Sequence, residues 1–175
     1  QIQMIKALGR TVPDFAHHSL LTGPQGEALS KRLGTLALRD LRENGVEPEA
    51  LLSLMARLGS SQPVELQMSL DEITDGFDLA QFGAAPTKFD AEDLYPLTAR
   101  KLHGLDFSAV ANEISALGVP ADKAELFWKI TRENIKTRRD LAGWWSLFRD
   151  GADPDVAEED QEFVEQAMTL LPDQP

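Results

Sequence analysis

Short apolar stripes at helical spacing, most of them stopped by a glycine, recur along nearly the whole of this chain. In "IQMIKALG" the residues Ile2, Ile5 and Leu8 share one face and Gly9 ends it. "TLALRDLREN" runs to Gly45. "EPEALLSLMARL" runs to Gly59, with Pro48 in its first turn, where a missing N–H costs nothing. Its apolar stripe is Ala50, Leu51, Leu54, Met55 and Leu58. "SLDE" is a capping box, with Ser69 as cap and Glu72 reaching back. "FDAEDLYPLTARKLHG" offers Asp90 as cap and Gly104 as stop, and Pro96 inside the pattern predicts a kink or a later start. "FSAVANEISALG" leads to Pro120. "ADKAELFWKITRENIKTRRDLAGWWSLFRDG" divides into two helices around Asn134 to Lys136, with Thr137 as cap of the second. "DPDVAEEDQEFVEQAMTLL" starts from Asp153 as cap and Pro154 at the first position. Only "TVPDFAHHSLL" has strand character, ahead of the turn at residues 23–26. Roughly eight helices with short connectors predict an all-α fold of packed hairpins, with a short strand-like N-terminal remnant.

At 175 residues the chain is one ordinary domain or two small ones, and a weak seam falls at "GLDF", residues 104–107. The absence of cysteine excludes a disulfide framework and a thiolate zinc site. Three histidines, with His17 and His18 adjacent, make a poor metal cluster, and no metal site is expected. No apolar run approaches the ~18 residues of a membrane span, and no basic-apolar leader precedes the first helix, so a cytoplasmic protein is expected. Both ends read as cuts through a longer protein.

Charge is unevenly placed. The chain carries −12 overall, which argues against a general nucleic-acid binder and against DNA as a partner. Yet residues 1–44 are net +2 and residues 123–149 net +4, while the stretches between and after them are each −9. A Debye length of about 10 Å screens distant charge, so a local basic patch can still hold phosphate inside an acidic frame. In "WKITRENIKTRRDL" Lys129, Arg132 and Lys136 fall at helical spacing, and Asn134, Arg138 and Arg139 add hydrogen-bonding side chains. From pattern alone the solvated helix face is favoured, with a surface for RNA phosphates or bases as the other reading. Trp144, Trp145 and Phe148 one turn on would stack on bases or sit in the core.

No complete catalytic motif is present: no GxSxG, Walker loop, HExxH or EF-hand loop. Asp71, Glu72 and Asp75 on a short helix read as caps and solvated face. The remaining stretch of interest is "TGPQGEALSKRLGT", where Leu29, Ser30, Lys31 and Arg32 follow a glycine turn. Such a loop can place an ammonium on nucleotide phosphates, or be a basic helix entry without consequence.

Context bears on that choice. "PDFAHHSLLTGPQGEALSKRLGTLALRDLRENGVEPEALLSLMARLG" resembles the second signature region of bacterial glutamyl-tRNA synthetases: Phe-Ala-His, an apolar pair, a glycine turn, Lys-Leu-Ser-Lys-Arg, then a Pro-Glu-Ala-Leu helix. The resemblance continues through "FDLAQFGAAPTKFDAEDL", "ARKLHGLDF" and "ELFWKITRENIKTRRDLAGWW", and so spans the chain in order. It implies a class I ligase that activates glutamate with ATP and Mg2+ and transfers it to the 3′ end of a transfer RNA. "ALSKR" would be the Lys-Met-Ser-Lys-Ser element, with Lys31 as its ATP-contacting lysine. Residues 1–34 would end the catalytic domain, 35–104 would form the stem-contact fold, and 105–175 the first anticodon-binding helical subdomain. Lys129, Arg132, Asn134, Lys136, Arg138 and Arg139 would face RNA. The partner would be the transfer RNA for glutamate, with that for glutamine left open, and the protein a monomer.

Two departures qualify this. The first lysine of the element is Ala28, preceded by Glu27, so an ammonium is missing beside an added acid. The Rossmann domain, its His-Ile-Gly-His element and the glutamate pocket would lie before Gln1, and a terminal anticodon subdomain after Pro175. Two other readings stand beside this one: a stand-alone helical RNA-binding or regulatory module, and a structural helical domain without RNA contact. Without a site to orient the two reactants, the chain alone is expected to be inactive and to hold no ATP tightly. Pyrophosphate exchange with glutamate and ATP should stay at background, and measurable glutamyl-adenylate would contradict it.

Overall fold

One helix, Leu94–His103 (α5), organises the fold, and its sequence explains why. Leu94, Leu97, Thr98, Lys101 and Leu102 recur at helical spacing and are all buried. Leu94 and Leu97 pack with Leu41, Ala50, Leu54 and Phe89 in a first core. Leu102 packs with Val110, Ile114, Phe127, Trp128, Ile135 and Leu141 in a second. A single stripe therefore runs from one core into the other.

The computed structural model describes residues 1–29, 37–152, 157 and 160–170. In chain order the other helices are Ile2–Ala7 (α1), Leu38–Glu43 (α2), Pro48–Met55 (α3), Leu70–Asp75 (α4), Ala111–Ala116 (α6), Ala121–Thr131 (α7), Asp140–Asp150 (α8) and Gln161–Met168 (α9). Short 3-10 turns join several of them, including Ala91–Asp93 before α5 and Arg132–Asn134 after α7.

Local sequence accounts for these boundaries. Pro48 occupies the first turn of α3. Ser69 accepts the Glu72 N–H at 3.2 Å, and the Glu72 carboxylate accepts the Met68 N–H at 2.8 Å, which closes the capping box of α4. Asp90 caps the 3-10 turn rather than a long helix, and α5 starts later, so that Pro96 falls in its first turn. The expected break at Asn134 to Lys136 is present, with Ile135 extended. Thr137 does not cap α8. Instead one carboxylate oxygen of Asp140 accepts the Lys136 and Thr137 N–H groups at 2.7 and 3.0 Å, and the Thr137 hydroxyl donates to the other oxygen at 3.3 Å. The expected cap Asp153 and Pro154 lie outside the described residues.

The all-α expectation needs correction: the fold is mostly helical with a small sheet. Leu21–Thr22 (β1) pairs in parallel with Thr87–Lys88 (β2), Leu21 opposite Thr87. Of residues 11–21, which read as strand-like, only Leu21 lies in a strand. The pairing is held by Thr87 N–H to Leu20 O at 2.9 Å and Phe89 N–H to Thr22 O at 2.8 Å. Its strands lie 65 residues apart, beyond the reach of a local pattern. Phe89, directly after β2, is 3% exposed in the first core, so the sheet ties the N-terminal segment to the helices.

Leu102→Ala should cost roughly 2–5 kcal/mol in a urea titration, as a fully buried leucine in a packed core does. Leu52→Ala, on an exposed part of α3, should cost well under half of that.

Candidate nucleic-acid interface

Two regions of the sequence carry the cationic side chains expected to meet phosphate, at residues 29–32 and 129–139. The first follows β1. Gly23 N–H bonds to Glu27 O at 2.8 Å and Gly26 N–H to Gly23 O at 2.9 Å, closing a tight turn. Thr22 then bridges Ala28 in antiparallel fashion. The Glu27 carboxylate folds back and accepts the Gln25 N–H at 3.0 Å, so this acid is engaged by its own turn. Leu29 leaves the turn 36% exposed. Ser30, Lys31 and Arg32 lie outside the described residues. The sheet thus fixes the turn at residues 23–28 by main-chain bonds to the segment that leads into the first core.

The second region is the stretch 129–139 between α7 and α8. Lys129, Asn134 and Lys136 are exposed. Asn134 Nδ2 donates to Ile130 O at 3.2 Å. Arg132 is partly exposed, 3.9 Å from Glu133, and its Nε–H is buried without an acceptor among the described residues. Neither Lys129 nor Lys136 forms an ion pair among the described residues. These four side chains reach solvent along the α7–α8 junction.

Arg138 and Arg139 behave otherwise. Arg138 Nε and Nη2 donate to the two oxygens of Glu47 at 2.7 and 3.3 Å, and Nη1 donates to both oxygens of Glu113 at 2.8 and 2.9 Å. Arg139 Nη1 donates to the Glu43 carbonyl at 2.9 Å. Both arginines thus bind the turn between α2 and α3. The Glu47 carboxylate, with Glu113 beside it, holds the Arg138 guanidinium above its ordinary pKa, against the opposing effect of burial. A cation raised in this way contributes its stability at every pH below its ordinary value and loses it only in strong alkali. The joint therefore keeps its positive member across the working range.

Glu47 and Glu113 were missed by sequence reasoning. Glu47 precedes Pro48 and reads as a helix entry, and Glu113 sits in "NEIS", which carries no specific signal. Only 8% of Glu47 is exposed, and its N–H is accepted by the buried hydroxyl of Thr98 on α5 at 3.2 Å. A groove of about 450 Å3 opens at the same joint, lined by Asn44, Glu92, Tyr95, Lys136, Arg139 and Asp140.

The aromatic residues after the basic stretch serve the second core. Trp144 and Trp145 pack against it, and Trp145 and Phe148 meet Phe127 edge-on at 5.7 and 5.8 Å between centroids. Phe148 keeps 49% of its surface exposed.

The chain combines a mostly helical body, a glycine turn followed in sequence by Leu-Ser-Lys-Arg, and a basic helix junction. Residues 1–96, over half of the chain, match the family described as tRNA synthetases class I (E and Q), catalytic domain, and the chain belongs to that family. It is 69% identical over its full length to glutamate–tRNA ligase 1 of Roseobacter denitrificans and 70% identical to glutamate–tRNA ligase 2 of Dinoroseobacter shibae. The chain spans about 40% of the length of these curated relatives. Among solved structures it is similar to a glutamate tRNA ligase from Elizabethkingia meningosepticum in complex with its amino acid. The TM-score is 0.75 at 25% identity, over 97% of this chain and 39% of that one. The synthetase from Elizabethkingia anophelis, at a TM-score of 0.71 and 24% identity, has the same fold over 96% of this chain and 39% of that one.

At the joint, Gly45 has φ +81°, and a Cβ there would come within 2.9 Å of Thr137 Cβ. Gly45→Ala should destabilise the chain by at least about 1–2 kcal/mol in a urea titration, from left-handed strain plus the clash. A neutral effect would show that the turn and the α7–α8 junction are not in close contact.

Proposed function

We propose that this chain is the transfer-RNA-binding portion, together with the phosphate loop, of a glutamate–tRNA ligase. The observation that carries this reading is the 69–70% identity to named glutamate–tRNA ligases along every residue of the chain. Residues 1–34 end the catalytic domain, 35–104 form the stem-contact fold, and 105–175 the first anticodon-binding subdomain. Leu29, Ser30, Lys31 and Arg32 hold the phosphates of ATP. The donor set suits phosphate, since two cationic side chains follow a turn whose one acid, Glu27, is engaged with the Gln25 amide. ATP, with Mg2+, supplies the activation of the glutamate carboxylate as an adenylate. Lys31 contributes an ammonium where phosphate charge develops.

Lys129, Arg132, Asn134 and Lys136 form the RNA-facing surface, supported by their exposure at the α7–α8 junction. Two lysines without ion-pair partners among the described residues suit phosphate better than bases, since an ammonium is a compact point charge. The acidic stretches on either side repel RNA that does not match this surface and so restrain non-specific adhesion. No helix among the described residues is long and apolar enough to cross a membrane.

A filter-binding titration with unfractionated transfer RNA tests the reading. Binding should fall steeply with salt, and Lys129→Ala and Lys136→Ala should each lower the slope by about one. No binding at low salt would contradict the RNA surface and favour a structural helical domain.

A further inference from the structure

Arg138 spends its forked side chain on two carboxylates from different parts of the fold. Glu47 is the first flanking residue of α3 and packs with the first core through Thr98. Glu113 lies on α6 in the second unit. Arg138 itself precedes α8, 91 residues from Glu47 and 25 from Glu113. Arg139 adds a bond to Glu43 O, and Gly45 lies against Thr137 with no room for a side chain. Lys101 on α5 pairs with Glu49 on α3 at 3.4 Å behind the same turn. The turn between α2 and α3 is thus docked onto the α7–α8 junction by charge-assisted bonds, in addition to the connection made by the stripe of α5.

We propose that Arg138 is a positioning residue, whose fork to Glu47 and Glu113 fixes the second helical unit against the first and sets the angle at which residues 129–136 are presented. The presentation of RNA rests on the function proposed above, while the mechanical joint does not. A planar guanidinium can bind two carboxylates at once through separate N–H pairs, which an ammonium on a flexible stem does not reproduce. A merely cationic contact to a phosphate would have the opposite tolerance, since lysine would serve it.

All three tryptophans, Trp128, Trp144 and Trp145, belong to the second core, so tryptophan emission follows that core alone while far-ultraviolet circular dichroism follows every helix. In urea the native chain should give coincident transitions by the two probes. Arg138→Met and Arg138→Lys should both separate the midpoints, by about 0.5 M or more, and Glu113→Gln should separate them less. Both Arg138 variants should bind unfractionated transfer RNA at least tenfold more weakly. If Arg138→Met does not fold, Glu113→Gln carries the comparison, because Glu113 is half exposed and leaves the Glu47 contact in place. Midpoints that move together in every variant would overturn the joint, and so would a native chain that already unfolds in two steps. Full rescue of coincidence and binding by lysine would overturn it in favour of a cationic contact. A native chain that binds no transfer RNA would count against the function, and the unfolding comparison would still decide the joint.

Discussion

Leu94, Leu97 and Leu102 lie on one stripe of a ten-residue helix and yet serve two cores. The rest of the structure depends on that sharing. Because α5 cannot shift without disturbing both clusters, the helices on either side of it have a common reference. A single helix, however, is a poor control on rotation, and the second connection is electrostatic. Arg138 meets Glu47 and Glu113 on one side of the stripe, and Lys101 meets Glu49 nearby. Apolar burial supplies adhesion there, and the directional, charge-assisted bonds supply the angle.

The helix starts and stops were legible because their causes are local. Pro48, the Ser69–Glu72 box and Gly45 act within a turn of the boundaries they set. Pro96 left either a kink or a later start open, and the structure shows the later start, with Pro96 in the first turn of α5. The β1–β2 pair was not legible, because two residues of pairing across 66 positions leave no periodic trace. The polar residues divided on the same principle. The pattern grouped six side chains in 129–139, and bonds to Glu47, Glu113 and Glu43 set Arg138 and Arg139 apart from Lys129, Arg132, Asn134 and Lys136. Arg138 and Arg139 looked no different in sequence. Their partners are set by tertiary approach, which periodicity does not encode. Lys31 and Arg32, which the resemblance puts in the phosphate-contacting element, lie outside the described residues.

This division changes the electrostatic account of the basic segment. Residues 123–149 carry seven Lys/Arg against three Asp/Glu, and local charge alone would offer the whole excess to RNA. With Arg138 neutralised by Glu47 and Glu113, part of that excess is internal. What remains outward is a smaller cluster at the α7–α8 junction, in a chain of net charge −12. If the proposed function holds, a small cation cluster in an acidic frame would give modest affinity with a strong dependence on shape, because only an RNA that reaches the junction without meeting the flanking acids would gain from it.

The most direct test of this account is hydrogen–deuterium exchange on the chain with and without unfractionated transfer RNA at low salt. The amides of residues 129–136 should exchange more slowly with RNA present, while those of the α2–α3 turn, already docked in the free chain, should change little. Unchanged exchange at 129–136, or protection confined to the first core, would contradict it.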